Sequence, residues 1–381
     1  MSDIARKIDP TLLSKVRRFG AFDITSCFNC GNCTAVCALS DEHGSFPRKM
    51  IRSGQVGLSE NLLNGPEPWL CYYCGECSET CPREAEPGEF MAALRRYVIA
   101  ETDPTGIAKL FYTNPLVLFL VTAAVGVLLS LLLVNMHGNP SGAHTWMFSS
   151  LVAYEAVHLT GVVLGILSGF ILVAGMVRLV KRNLASSGGF SFLWKQKPKA
   201  LIAAGTEVAQ EVFTMKRHGE CTTEAQTAHP WYSTPRFIHG FILWGFLGLA
   251  TATAVDYLLM YILGTHIFQP GRVIGTVSGL ALLYGVSVAI WKRVVRKEKH
   301  SRFTHASDAW LLAFLLILGI TGFWLEAAVT FWRSGALHDW VLLIHAVFAI
   351  ELIVLIALTK LGHAIYRPVS LFLHVLKQKG V

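Results

Sequence analysis

The stretch Pro115–Val134, PLVLFLVTAAVGVLLSLLLV, runs for twenty residues without a charge. Crossing the hydrocarbon of a bilayer takes about 20 apolar residues, so this run predicts a membrane helix. Five later stretches read the same way: Ser150–Val180, Phe237–Gly264, Val273–Trp291, Ala306–Trp332 and Val341–Ala364. Several exceed the minimum, as tilted helices do. The whole chain of 381 residues is 53% hydrophobic and 15% charged, too apolar and too charge-poor for an ordinary soluble protein of this length.

Lys and Arg in the connecting loops predict the orientation. Lys181, Arg182, Lys195, Lys197 and Lys199 follow the second span, and Lys292, Arg293, Arg296, Lys297, Lys299 and Arg302 follow the fourth. The opposite loops carry none before Ser149, then Arg272 and Arg333 alone. Basic loops stay in the cytoplasm, so both termini are expected there, in a multi-pass protein of the cytoplasmic (inner) membrane. Topology thus accounts for the net charge of +8, and a nucleic-acid partner has little left to support it. Met1–Leu13 has charges and no apolar core of a signal peptide, so a reducing compartment is expected for the thiols.

Eight of nine cysteines lie before residue 112. CFNCGNCTAVC places Cys27, Cys30, Cys33 and Cys37, and CYYCGECSETCP repeats the 2-2-3 spacing with Cys71, Cys74, Cys77 and Cys81. Three closely spaced thiolates on a turning backbone reach three corners of one [4Fe-4S] cubane, while the fourth reaches the other cluster. The expected sets are therefore Cys27, Cys30, Cys33 and Cys81 for one cluster, and Cys71, Cys74, Cys77 and Cys37 for the second. Zinc also takes four ligands but does not ask for this doubled spacing. Gly31 and Gly75 suit close approach of the backbone to the cluster. Cys221, alone in the loop 181–236, reads as an inert thiol. Within that loop Lys199–Arg217 predicts an amphipathic helix, with Leu201, Ile202, Val208, Val212 and Phe213 on one face. It would lie on the membrane or dock a partner.

Histidine inside a span is a functional candidate by default. His345 and His363 both fall on the predicted sixth span, 18 residues apart, which is five turns and ~27 Å along one helix face. One helix then offers a haem ligand near each membrane surface. His239, at the start of the third span, matches His363 in depth, with Arg236 and Arg367 one turn away as propionate partners. His158 in the second span is the expected partner of His345, and Gly161, Gly165 and Gly169 either leave room for a macrocycle or serve helix packing. His144, His266 and His338 are substitutes at that outer site. No C-x-x-C-H occurs, so the haems should be b-type. The fold expected is mainly α: a two-cluster ferredoxin-like domain over 1–111, then a six-span cytochrome b bundle over 112–381.

With these residues the chain resembles the membrane component of quinone-interacting membrane-bound oxidoreductases, a fusion of the iron–sulfur and cytochrome b subunits of heterodisulfide reductase. Beyond the cysteine motifs, the likeness rests on FPRKMIRSG and PEPWLC, on RFIHGFILWGFLGL, and on His345 through LTKLGHAIYRP. The membrane half is also similar to the gamma subunit of nitrate reductase. That family pairs histidines 10 apart on one helix, whereas this chain has Leu249 at that distance from His239. The resemblance implies menaquinol oxidation, electrons passing through two b haems and two clusters to flavin and iron–sulfur partner subunits, and adenylylsulfate reductase as the terminal acceptor in sulfate respiration. Quinol oxidation releases two protons, for which Glu155, one turn before His158, is the first candidate acceptor. Asp256, Glu326 and the mid-span Glu351 are further carboxyls. The alternatives are a heterodisulfide- or succinate-type subunit running electrons from a soluble donor to quinone, and a transporter or sensor with a cluster domain.

Overall fold

The computed structural model describes residues 7–136, 151–219, 230–264, 269–296, 303–331 and 336–379; Cys221, His144 and His266 lie outside them. The described chain is helical, with no strand. Among the described residues, six helices are long and apolar enough to cross a membrane: Pro115–Asn135, Glu155–Asn183, Pro235–Tyr257, Pro270–Val295, Ala306–Ala328 and Leu337–Val354. The first starts where its chemistry demands. Asn114 caps it by accepting from the N–H groups of Leu116 and Val117, and Pro115 fills the first helical position, where no N–H is needed.

The third and fourth spans pack backbone to backbone. A Cβ on Gly245 would lie 2.6 Å from the Leu282 nitrogen, and one on Gly285 would lie 3.0 Å from the Ile238 oxygen, so both positions require glycine. Close approach of this kind is how membrane helices gain dispersion contact without a hydrophobic driving force.

The sixth span departs from expectation. Its helix ends at Val354, turns occupy Leu355–Leu358, a 3-10 turn covers Lys360–Gly362, and His363 opens a separate helix that runs to Lys379. His345 and His363 therefore do not share one continuous helix. Two polar groups explain the break. Ser168 on the second span donates to the freed carbonyls of Ile353 at 2.9 Å and Val354 at 3.1 Å, replacing the helical bonds lost there. Lys360 turns toward Asp308 on the fifth span, 2.7 Å away.

The predicted loop helix forms over Pro198–Thr214, but it docks on its own chain. Ala204 and Val208 are buried against Leu371, Val375 and neighbours of the last helix, while Ile202 and Phe213 of the same stripe stay exposed. Ion pairs from Glu207 to Lys379 and from Glu211 to Arg367 flank the contact. The chain itself thus covers Ala204 and Val208 of this helix and leaves Ile202 and Phe213 uncovered.

One hydrophobic core ties the cysteine-bearing segment to the bundle. It combines Leu12, Phe19, Trp69 and Phe90 with Leu179 of the second span and Tyr366 and Leu376 of the last helix. The buried Pro87–Thr102 helix runs through its centre. From it Arg96 donates to the Phe19 carbonyl at 2.7 Å, and Arg95 donates to the carbonyls of Pro68 and Cys71.

Candidate metal and cofactor centres

The repeated spacing folds into repeated backbone. Asn29 (φ 65°) and Tyr73 (φ 59°) occupy equivalent left-handed positions, as do Gly31 (φ 92°) and Gly75 (φ 91°). Short helices follow each glycine, Asn32–Ala35 and Glu76–Glu79, and they pack together. Asn32 Nδ2 donates to the Thr80 carbonyl at 2.7 Å, fastening one motif to the other, and Gln55 Nε2 holds the Cys27 carbonyl at 2.8 Å.

The thiols associate across the motifs. Cys37 lines a pocket with Cys71, Cys74 and Cys77, walled by Leu39, Phe46 and Met91. Burial pushes the Cys37 thiol up to about 12, reinforced by Cys71 and Cys74; Cys77 is raised well above the usual thiol value by burial and then by Cys71, Cys74 and Cys37. The other set follows the same pattern. Burial raises Cys33, and Cys27, Cys30 and Cys81 all push in the same direction. Each fourth cysteine thus sits in the electrostatic neighbourhood of the opposite motif.

Backbone N–H groups point at sulfur, from Tyr73 to Cys71 Sγ and from Ala85 to Cys81 Sγ, each at 3.4 Å. Among the described residues no three His, Cys, Asp or Glu side chains come close enough to share one metal ion. A polynuclear centre spreads its ligands over separate corners and needs no such convergence. Clustered, mostly half-buried thiols that raise one another, with N–H donors at the sulfurs, fit a [4Fe-4S] group, whose irons would hold them as thiolates.

His239 and His363 meet edge to face, with ring centres 6.2 Å apart and planes at 76°. Two imidazoles that share a metal, each bonded at about 2 Å, have ring centres ~6 Å apart, a distance this pair matches; to bind one iron together, the ring that presents its face would turn its Nε2 toward the metal. The His363 Nδ1 is bonded to the Lys360 carbonyl, which can only accept. That fixes the proton on Nδ1 and leaves Nε2 as the free lone pair, the tautomer a metal ligand needs. Burial, reinforced by His239, pushes His363 down to about 3 and keeps it neutral.

The outer histidines have other neighbours. The Thr321 hydroxyl donates to the Ile317 carbonyl at 2.7 Å, so its lone pair accepts from His345 Nδ1 at 2.8 Å, again freeing Nε2. His158 stacks on Tyr257, ring centres 5.4 Å apart. In the glycine stripe, Gly161 faces Ile350 and Gly165 faces Ile353 of the sixth span, which is helix packing, while Gly169 has open space beside it. Glu155 is exposed at the head of the second span. Glu326 accepts from Thr276 Oγ1 at 2.6 Å; Glu351 is 2% exposed, faces Gly126, and its Oε1 has no hydrogen-bond partner.

The two arginines expected near propionates bond to their own chain. Arg236 Nε donates to the Thr214 carbonyl and Arg367 Nε to the Trp69 carbonyl, each at 3.0 Å. His218 is the residue that sequence reasoning missed. It reads as an ordinary surface histidine, yet it stacks against His239 with ring centres 5.7 Å apart. The cause is Met215, whose left-handed conformation (φ 50°) ends the loop helix and folds the chain back; no spacing rule announces that turn.

Comparison with known proteins bears on the cysteine segment. Residues 23–85 match the profile of the 4Fe-4S dicluster domain family. Two relatives, each the C-type subunit of an H(2):CoB-CoM heterodisulfide,ferredoxin reductase, come from Methanothermobacter thermautotrophicus and Methanothermobacter marburgensis. Each is 34% identical over 70 residues, 18% of this chain and 38% of the relative. The chain therefore spans well under half the length of these relatives. No solved structure matches. These similarities support iron–sulfur clusters in an N-terminal segment like that of the C-type subunit of a heterodisulfide reductase.

Proposed function

We propose that this chain is the membrane electron-transfer subunit of a respiratory complex like the quinone-interacting oxidoreductases, oxidising menaquinol and delivering electrons to flavin and iron–sulfur partners in the cytoplasm. Adenylylsulfate reductase is the terminal acceptor in this reading. The observation that carries it is the meeting of His239 and His363, ring centres 6.2 Å apart, in a chain whose cysteine motifs share a core with its last helix; these two imidazoles would hold a haem iron. When bound, two b haems and two [4Fe-4S] clusters supply the one-electron steps between quinol and the partner subunits.

Residues 1–111 form the cluster domain and 112–381 the membrane domain, with both termini cytoplasmic as the basic loops argue. His239 and His363 hold the inner haem, and His345 with His158 the outer one. The Lys360 carbonyl and Thr321 hydroxyl orient His363 and His345 through Nδ1. Cys27, Cys30, Cys33 and Cys81 hold one cluster, and Cys71, Cys74, Cys77 and Cys37 the other. Glu155, exposed beside the outer site, takes a proton released by quinol. The second reading is the same wire run from a soluble donor to quinone, as in a heterodisulfide- or succinate-type complex.

The purified complex, reduced with dithionite, should show a b-type absorption band. His363→Ala should remove one of two haems and His345→Ala the other. A complex without that band would sink the proposal. Menaquinol added to the oxidised complex should reduce haems before clusters; the opposite order, with a soluble donor as the only effective reductant, selects the second reading.

A further inference from the structure

Tyr72 directly follows Cys71, and its ring lies edge-on to His218 with centres 4.6 Å apart and planes at 68°. His218 in turn lies 5.7 Å from His239, which meets His363 at 6.2 Å. Rings therefore follow one another from a residue bonded to Cys71 to the paired imidazoles. The assembly is braced by Glu211. Its carboxylate accepts from the Tyr72 hydroxyl at 2.5 Å, from Arg367 at 3.4 Å, and from the Arg217 N–H at 3.2 Å, immediately before His218. Arg367 covers the Tyr72 ring, its guanidinium carbon 4.8 Å from the ring centre. One carboxylate thus fixes both the tyrosine and the turn that carries the histidine.

We propose that His218 is a positioning residue of the junction between the second cluster and the inner haem: wedged between Tyr72 and His239, it holds the His239 imidazole in one orientation and bridges the electron path between the centres. With both groups bound, one electron would pass from the haem held by His239 and His363 to the cluster held by Cys71, oxidising the one and reducing the other, with no bond or proton moved. The inference rests on the assignment of Cys71 to a cluster and of His239 and His363 to a haem.

The test uses the purified complex with His218→Ala and His218→Phe. The alanine variant should keep its full haem and iron content, shift the low-spin electron paramagnetic resonance signal and midpoint potential of one haem, and slow electron transfer from haem to cluster between about tenfold and a hundredfold, the scale on which misplacement at a reacting centre is felt. The phenylalanine variant, which restores the ring, should recover both signal and rate. His218→Leu, filling the volume without a ring, repeats the test should the alanine variant not accumulate; it should show the same shift and slowing.

An unchanged haem signal with an unchanged rate in the ringless variants overturns the proposal. So does loss of the inner haem from the alanine variant when His239→Ala retains it, because His218 would then be the ligand itself. A wild-type complex without b-type haem overturns the assignment beneath the proposal, and is told apart because it appears before any substitution is made.

Discussion

Lys360 Nζ lies 2.7 Å from Asp308 Oδ1, joining the turn before His363 to the head of the fifth span. The Asp308 side chain is 13% exposed, so removing its charge leaves an ammonium without its counter-ion. Asp308→Asn should lower stability by about 2 kcal/mol, less than for a fully buried pair because Lys360 keeps 34% of its side chain exposed. Thermal unfolding in detergent checks this. The double variant Asp308→Leu/Lys360→Met should recover most of the loss, and a double variant no better than the single one would count against the pair.

The crossing of the cysteine motifs is open to an iron count. If Cys81 belongs with Cys33, the variant Cys33→Ala/Cys81→Ala should lose no more iron than either single change, leaving about four of about eight irons. Cys33→Ala/Cys37→Ala should lose both clusters. Iron loss in the reverse pattern would assign each fourth cysteine to its own motif.

Ser168 is 3% exposed, and its hydroxyl serves two carbonyls at the end of the sixth span. Ser168→Ala strands those acceptors and should cost about 1–2 kcal/mol, measured as a lower unfolding midpoint. Ser168→Thr, which keeps the hydroxyl, should fall much closer to wild type.

Glu89, beside the second cluster motif, gives a pH signature. Burial pushes its carboxyl up to about 7 against the opposing influence of Arg96, and the Tyr73 hydroxyl is bonded to it. The folded chain thus keeps this proton at pH values where the unfolded chain, titrating near ~4.3, has lost it. Stability should fall as pH rises between these values and level off above about 7, by up to about 3 kcal/mol. Glu89→Gln should flatten that slope; the same slope in the variant would place its origin elsewhere.

The six spans were legible because an apolar run of membrane length has few other uses, and Asn114-Pro115 even marks where the first begins. The cysteine motifs were legible because their ligands are local in sequence. What sequence could not convey is how distant groups act on the backbone. Period arithmetic carries a helix from His345 straight to His363, but Ser168, nearly 190 residues away, and Asp308 make its interruption affordable. His218 was hidden for the same reason, since it reaches His239 only after the left-handed turn at Met215. The loop helix showed its apolar stripe plainly without naming the surface that would cover it.

The shared core around Trp69 and Phe90 has a consequence for the order in which the chain matures. Tyr366, Leu371 and Leu376, which complete it, leave the ribosome only after all six spans, so contacts of very high sequence separation must form last. The cysteine segment is synthesised first and closed last. A truncation before His363 should leave it with an open apolar face, a substrate for chaperones and proteases, so that the final helix acts as the checkpoint for everything made before it.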